Sequence, residues 1–252
     1  EFGATKASGT VKVTAAGEVT QTGAISAGTL DVTAKAGETA KDITLANAGN
    51  AIGTFKGEGA NVTLKDADGV VLDGVTAKET LTLQTDAEVT GKVTANSVDA
   101  VDQTVKSSAG ADVDVTGELK AKTLDVDAGS VAAATVKVSD KVEQSGGTIG
   151  AADRTLTIDG ALDQDAGAIK ATTLTLKGGA EQEAEATITA TTGVDLQGAT
   201  KGYTLKGTAN SLAKVGTSLA DGIAGATIVN DGALEFGATK ASGTVKVTAA
   251  GE

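Results

Sequence analysis

Aliphatic doublets, each split by one residue, recur along the chain. They are Val11/Val13, Leu30/Val32, Ile43/Leu45, Val62/Leu64, Leu81/Leu83, Val113/Val115, Leu124/Val126, Val136/Val138, Leu156/Ile158, Leu174/Leu176 and Val194/Leu196. In the stretch Thr80 to Leu83, threonines alternate with leucines, which is the period-two pattern of a strand with one buried face. Steps between neighbouring doublets are often 18 to 20 residues, as from Val11 to Leu30 and from Ile43 to Val62. Three steps are shorter, near 11 to 13, and place their doublets on different faces of one turn. Gly, Asp, Asn and Ser between the doublets supply the turns.

Strands this short and this evenly spaced suit rungs stacked along an axis better than a sandwich. The pattern predicts an all-β, right-handed parallel β-helix (a β-solenoid) of roughly 12–13 coils, each of about 18–20 residues. Each well-buried Val, Leu or Ile on the coil below contributes about 1.5–3 kcal/mol. One stretch fits less well. Between Gly207 and Ala226, the apolar residues Leu212, Val215, Leu219 and Ile223 have helix-like spacing. Gly216, Gly222 and Gly225 would each cost a helix about 1 kcal/mol, so an irregular solenoid coil is expected there.

The chain also repeats itself. EFGATKASGTVKVTAAGE occurs at residues 1–18 and again at residues 235–252, an offset of 234 positions. The expected organisation is one tandem unit, residues 1–234, as a continuous solenoid, with residues 235–252 starting the next identical copy. Shorter repeats lie inside the unit. The segments from Thr10 to Val32, Thr135 to Ile158 and Thr155 to Leu176 share an alternation, a glutamine (Gln21, Gln144, Gln164), a glycine and an isoleucine (Ile25, Ile149, Ile169). DGVVLDGVTAKETLTL, from Asp68, is similar to DGALEFGATKASGTVKV, from Asp231. Periodicity of this kind marks repeat architectures. Because the strand Thr10–Thr14 recurs as Thr244–Thr248, copies are expected to continue one another axially.

Composition narrows the function classes. There is no Cys, Met, Pro, Trp or His, and the aromatics are Phe2, Phe55, Phe236 and Tyr203. Hydrophobic residues nevertheless make up 40%, so the chain has a core to bury and builds it from small aliphatics. A net charge of −12 argues against nucleic acid and against an anionic membrane surface. No apolar run approaches the roughly 20 residues of a membrane span, and the first residues lack the apolar stretch of a signal peptide.

The V-x-Q-x-G-x-I-x-A-x-T-L pattern of EVTQTGAISAGTL resembles the repeats of filamentous haemagglutinin-like adhesins. So does the segment from Asp42 to Ala77. That resemblance implies a giant bacterial surface protein with a right-handed β-helical shaft, secreted or displayed at the cell surface.

Candidate chemistry is sparse. Arg154 is the only arginine, and no nucleophile elbow, P-loop or His/Cys ligand set is present, so no enzymatic role and no cofactor are expected. Asp99, Asp102, Asp112, Asp114, Asp125 and Asp127 crowd neighbouring rungs. Asp99, Asp114 and Asp125 are weak calcium candidates, since a hard cation would relieve carboxylates about 5 Å apart at the rung spacing. The G-G-x-G-x-D repeat of calcium rolls is absent, and a solvated acidic face screened by Lys120, Lys122 and Lys137 is the expected reading.

Thr-x-Thr pairs at Thr80/Thr82, Thr155/Thr157, Thr173/Thr175 and Thr187/Thr189 are attributed to strand propensity rather than to ice binding. Asn61-Val62-Thr63 fits the glycosylation acceptor pattern inside a strand and is expected by chance. The expected function is therefore a structural shaft whose main partner is itself. The alternative is a module that recognises carbohydrate or a host protein on a side face, for which exposed aromatics would be the signature.

Overall fold

The computed structural model describes residues 1–218 and 220–250; Leu219, Gly251 and Glu252 lie outside the described residues. It is all-β, with 23 strands and no helix among the described residues. The strands stack in parallel as a β-solenoid, as the doublets predict. One antiparallel hairpin, Lys35–Ala36 against Thr39–Ala40, turns back on itself. The chain falls into two compact units, residues 1–122 and residues 123–252.

In the first unit the doublets stack in register. Ile43, Val62, Leu81 and Val98 form one inward column, and Leu45, Leu64 and Leu83 form a second. All of these except Val98, at 3%, are no more than 2% exposed. A third column runs from Val11 through Leu30, Phe55 and Leu72 to Val89. The short step from Leu30 to Ile43 is explained here. Leu30 pairs with Phe55 while Ile43 pairs with Val62, so the two belong to different faces of one coil.

Phe55 is a large ring in a column of small side chains, and it is fully buried. Glycine makes room for it. A Cβ on Gly57 would stand 2.7 Å from the Phe55 ring atoms Cε1 and Cζ, closer than carbon atoms pack.

In the second unit, Val136, Ile158, Leu176 and Leu196 make one column. Leu156, Leu174, Val194, Val215 and Phe236 make another. Another face carries Val142, Leu162, Ala180, Tyr203, Ala226 and Val245. Tyr203 is buried, and its hydroxyl donates to the carbonyl of Leu176 at 3.0 Å and also meets the carbonyl of Gln197. Burial raises its pKa above the ordinary phenol value.

Around Gly207–Ala226 the described residues form short strands, Ser211–Leu212, Lys214–Thr217 and the start of Ile223–Asn230. Pairing of Val215 with Val194 overrides the helix-like spacing, as rung-to-rung contact routinely overrides local propensity.

Candidate functional site

Strand parity decides where each candidate side chain points. Asp99 lies between the inward Val98 and Ala100, and Asp114 between Val113 and Val115, so both sit on the outward face of the first unit. Asp99 stands in register with Thr82 on the rung before it. Asp125 lies between Leu124 and Val126 on the outward face of the second unit.

A shallow concavity of about 200 Å³ in the second unit gathers Asp125, Asp127, Glu143, Ser145, Asp163 and Asp165. Glu143, Asp163 and Glu181 occupy one in-register outward column there. Two contacts moderate the repulsion. Ser145 donates to Asp127 at 2.8 Å, and Lys141 lies 2.5 Å from Glu143. The hydrogen bond to Glu143 holds the Lys141 pKa above its ordinary value. Among the described residues no three His, Cys, Asp or Glu side chains are arranged to hold a metal ion. Of the lysines expected to screen this acidity, Lys120 pairs with Glu118 on its own strand at 3.2 Å.

Other sequence candidates take structural places. Arg154 sits at a turn, where its backbone N–H donates to Ala151 and its carbonyl accepts from Thr172. Thr157 stacks on Thr175, but Thr80 faces Ser97, and Thr189 lies between Lys170 and Ser211. Asn61 spends its side-chain amide and its backbone N–H on Asp42 Oδ1, each at 3.0 Å.

The side faces carry two larger but shallow grooves. One, about 450 Å³ in the second unit, includes Lys141, Asp163, Glu181 and Lys201. The other, about 440 Å³ in the first unit, includes Asp68, Asp86, Glu88 and Lys106. No aromatic side chain lines either groove. Phe55 and Tyr203, two of the four rings that could have stacked on a sugar, are interior.

The concentrated polar chemistry lies inside the coils, at a corner. In the first unit Gln21 and Asn50 clasp each other. Asn50 Nδ2 donates to Gln21 Oε1 at 3.0 Å, and Gln21 Nε2 donates to Asn50 Oδ1 at 2.8 Å. Asn50 Oδ1 also accepts the N–H of Ile25 at 2.9 Å, where a strand begins. The second unit repeats this clasp with Gln182, Asn210 and Ile188, at 2.8, 2.9 and 2.7 Å. Asn230 Oδ1 serves Leu212 N–H at 2.8 Å, and Asp66 Oδ2 serves Ile52 N–H at 2.7 Å.

Asn50, Asn210, Asn230 and Asp66 each satisfy a buried backbone N–H in this way. Gln144 and Gln164 stack in register with Gln182, but their Oε1 atoms are buried without a partner. Sequence reading found the recurring glutamines and missed their inward direction. The available signal was parity: Gln144 follows the inward Val142 by two positions.

Residues 1–55 match a family described as repeats of unknown function (DUF5649). No curated protein matches the chain, and no solved structure matches it.

Proposed function

We propose that the chain is a non-catalytic structural shaft, the repeated part of a bacterial extracellular filament or giant surface adhesin. The observation that carries this reading is the eighteen-residue identity between residues 1–18 and 235–252, combined with the fact that both occurrences contribute rungs to a parallel solenoid. A sequence that recurs after 234 residues and is built into a rung at each occurrence suits an axial repeat. The match of residues 1–55 to a repeat family supports the same reading. The side faces favour the shaft over a sugar-binding module, because two of the four rings are interior and the grooves lack aromatics.

Electron microscopy of the native material, with antibody labelling of intact cells, tests the proposal. Labelled fibres outside the cell, smooth along their length, are expected. Discrete globular particles, or label confined to the cell interior, would overturn it.

A further inference from the structure

The second occurrence of the repeated segment shows how a rung of this sequence is received. Residues 235–249 lie on the rung to which residues 214–217 and 223–230 contribute strands. Glu235 and Phe236 pair with Lys214 and Val215, Ala241 with Ile223, and Val245 through Ala249 with Ala226 through Asn230, all in parallel. Side chains fix the seat further. Lys214 Nζ meets Glu235 Oε1 at 2.6 Å, the Lys240 N–H donates to Thr217 Oγ1 at 2.7 Å, and Lys240 Nζ donates to the Ala220 carbonyl at 2.9 Å.

The first occurrence shows the opposite edge of the same rung. Phe2 pairs with Gln21, Ala7 with Ala27, and Val11 through Ala15 with Leu30 through Ala34. Apart from Glu235, whose counterpart Glu1 is unpaired, every position that pairs with the rung before it in the second occurrence pairs at the same place with the rung after it in the first. Overlaying the two by sequence gives Ala226–Val11–Leu30 and Ile228–Val13–Val32 as inward columns, and Thr227–Lys12–Asp31 as an outward one. The outward column brings no like charges together, and Lys12 already pairs with Asp31 at 3.2 Å. Val11 and Val13, like Val245 and Val247, are only half-buried where each has one paired rung. Leu30, Val32 and Ile228, which have rungs on both sides, are at most 1% exposed.

We infer that the edge formed by the strands Lys214–Thr217 and Ile223–Asn230 is a docking edge for a second copy of this chain, whose residues 1–15 bind it in the register that residues 235–249 display. Glu1 takes the place of Glu235 against Lys214, Lys6 takes the place of Lys240 against Thr217, and Val11 and Val13 become covered on both sides. Extension of a sheet by an incoming strand supplies the main-chain hydrogen bonds, and the alternating valines supply the specificity. The inference rests on the shaft reading above and adds its joint: separate copies can join as well as covalently linked ones.

The test uses the full chain carrying Val245→Pro and Val247→Pro, which unseats its own segment while leaving the edge intact. The probe is the labelled peptide EFGATKASGTVKVTAAGE, standing for the first rung of a second copy. The peptide is expected to bind this variant at least tenfold more tightly than the unaltered chain. A peptide with prolines at the same two valines is expected not to bind.

The chain contains no cysteine, so a trap reads the register directly. Thr227→Cys in the variant should form a disulfide with a peptide bearing Cys at the Lys12 position, and not with one bearing it at the Thr14 position. Circular dichroism checks that the variant keeps its strands. Should the prolines unfold it, Val245→Thr with Val247→Thr gives the same comparison in a folded chain. No capture by a folded variant, or a trap that ignores position, would overturn the docking edge. Native fibres with the expected axial advance but no capture would retire the docking edge and leave the shaft; capture without fibres would do the reverse.

Discussion

Two kinds of corner, one in which a carboxamide caps a strand and one in which a carboxylate does, perform the same task with different chemistry. At Asn50 and at Asn210 a carboxamide caps a strand of the neighbouring coil, and a glutamine clasps it from the other side. At Asp66 a carboxylate does the capping, accepting from Ile52 at 2.7 Å and from Asp68 N–H at 3.1 Å. The carboxamide both donates and accepts, so it closes a network inside the coil. The carboxylate only accepts and must give up water to do so. Burial therefore raises the Asp66 pKa, although its backbone hydrogen bonds pull the other way. The interior of this solenoid tolerates polarity where every lone pair and proton is used, and charges for it elsewhere.

The comparison breaks most visibly at Asn210. Asn210→Ala leaves the Ile188 N–H and Gln182 Nε2 without their partner and Gln182 Oε1 with only the Gly207 N–H, and should cost about 2–4 kcal/mol in urea unfolding. Asn50→Ala should cost a similar amount through Ile25 and Gln21. A loss below about 0.5 kcal/mol at both sites would show that the clasps are incidental.

The clasped and unclasped glutamines sharpen it next. Gln164 uses its amide only as a donor, to Gly167 and Thr187 at 3.4 and 3.2 Å, and its Oε1 is buried without a partner. Gln164→Leu should therefore change stability by about 1 kcal/mol or less in either direction, whereas Gln182→Leu should cost about 2 kcal/mol or more. Equal losses at the two positions would contradict the distinction.

The carboxylate rung gives a smaller effect with a definite sign. Because the folded-state pKa of Asp66 is raised, the folded chain holds that proton more tightly than the unfolded chain does. The stabilising contribution is full below the unfolded carboxylate pKa and is lost as pH rises through the folded value. Asp66→Asn should raise the thermal midpoint at pH 7, and its advantage should shrink as pH falls into the carboxylate range. A midpoint gain that is flat with pH, or a loss at pH 7, would refute the assignment. The converse change, Asn210→Asp, should destabilise most at neutral pH and least in acid.

These corners also mark the limit of what the sequence discloses. The doublets are legible because period-two alternation of aliphatics has one physical reading. Val62/Leu64 and Leu81/Leu83 accordingly stack as expected. The outward direction of Asp99, Asp114 and Asp125 follows from the same parity. Asn50, Asn210 and Asn230 stand beside turns, where parity is lost and an asparagine looks like an ordinary turn former. Their inward role depends on an N–H about 18 to 25 residues away in sequence, which no local pattern encodes. Tyr203 counts as a potential surface ring by composition, yet it shares the parity of Leu205 and joins the core.

The axial advance per 234 residues measures the central claim most directly. With roughly 12–13 coils at about 4.8 Å each, a shaft of stacked rungs should advance on the order of 55–65 Å per unit, with a strong spacing near 4.8 Å along the fibre axis. Fibre diffraction or helical reconstruction of the proposed fibre reads both quantities. An advance in that range with the 4.8 Å spacing on the axis is the predicted result. An advance well below about 50 Å, or the 4.8 Å spacing lying across the fibre, would contradict a shaft built by continuing the solenoid from copy to copy.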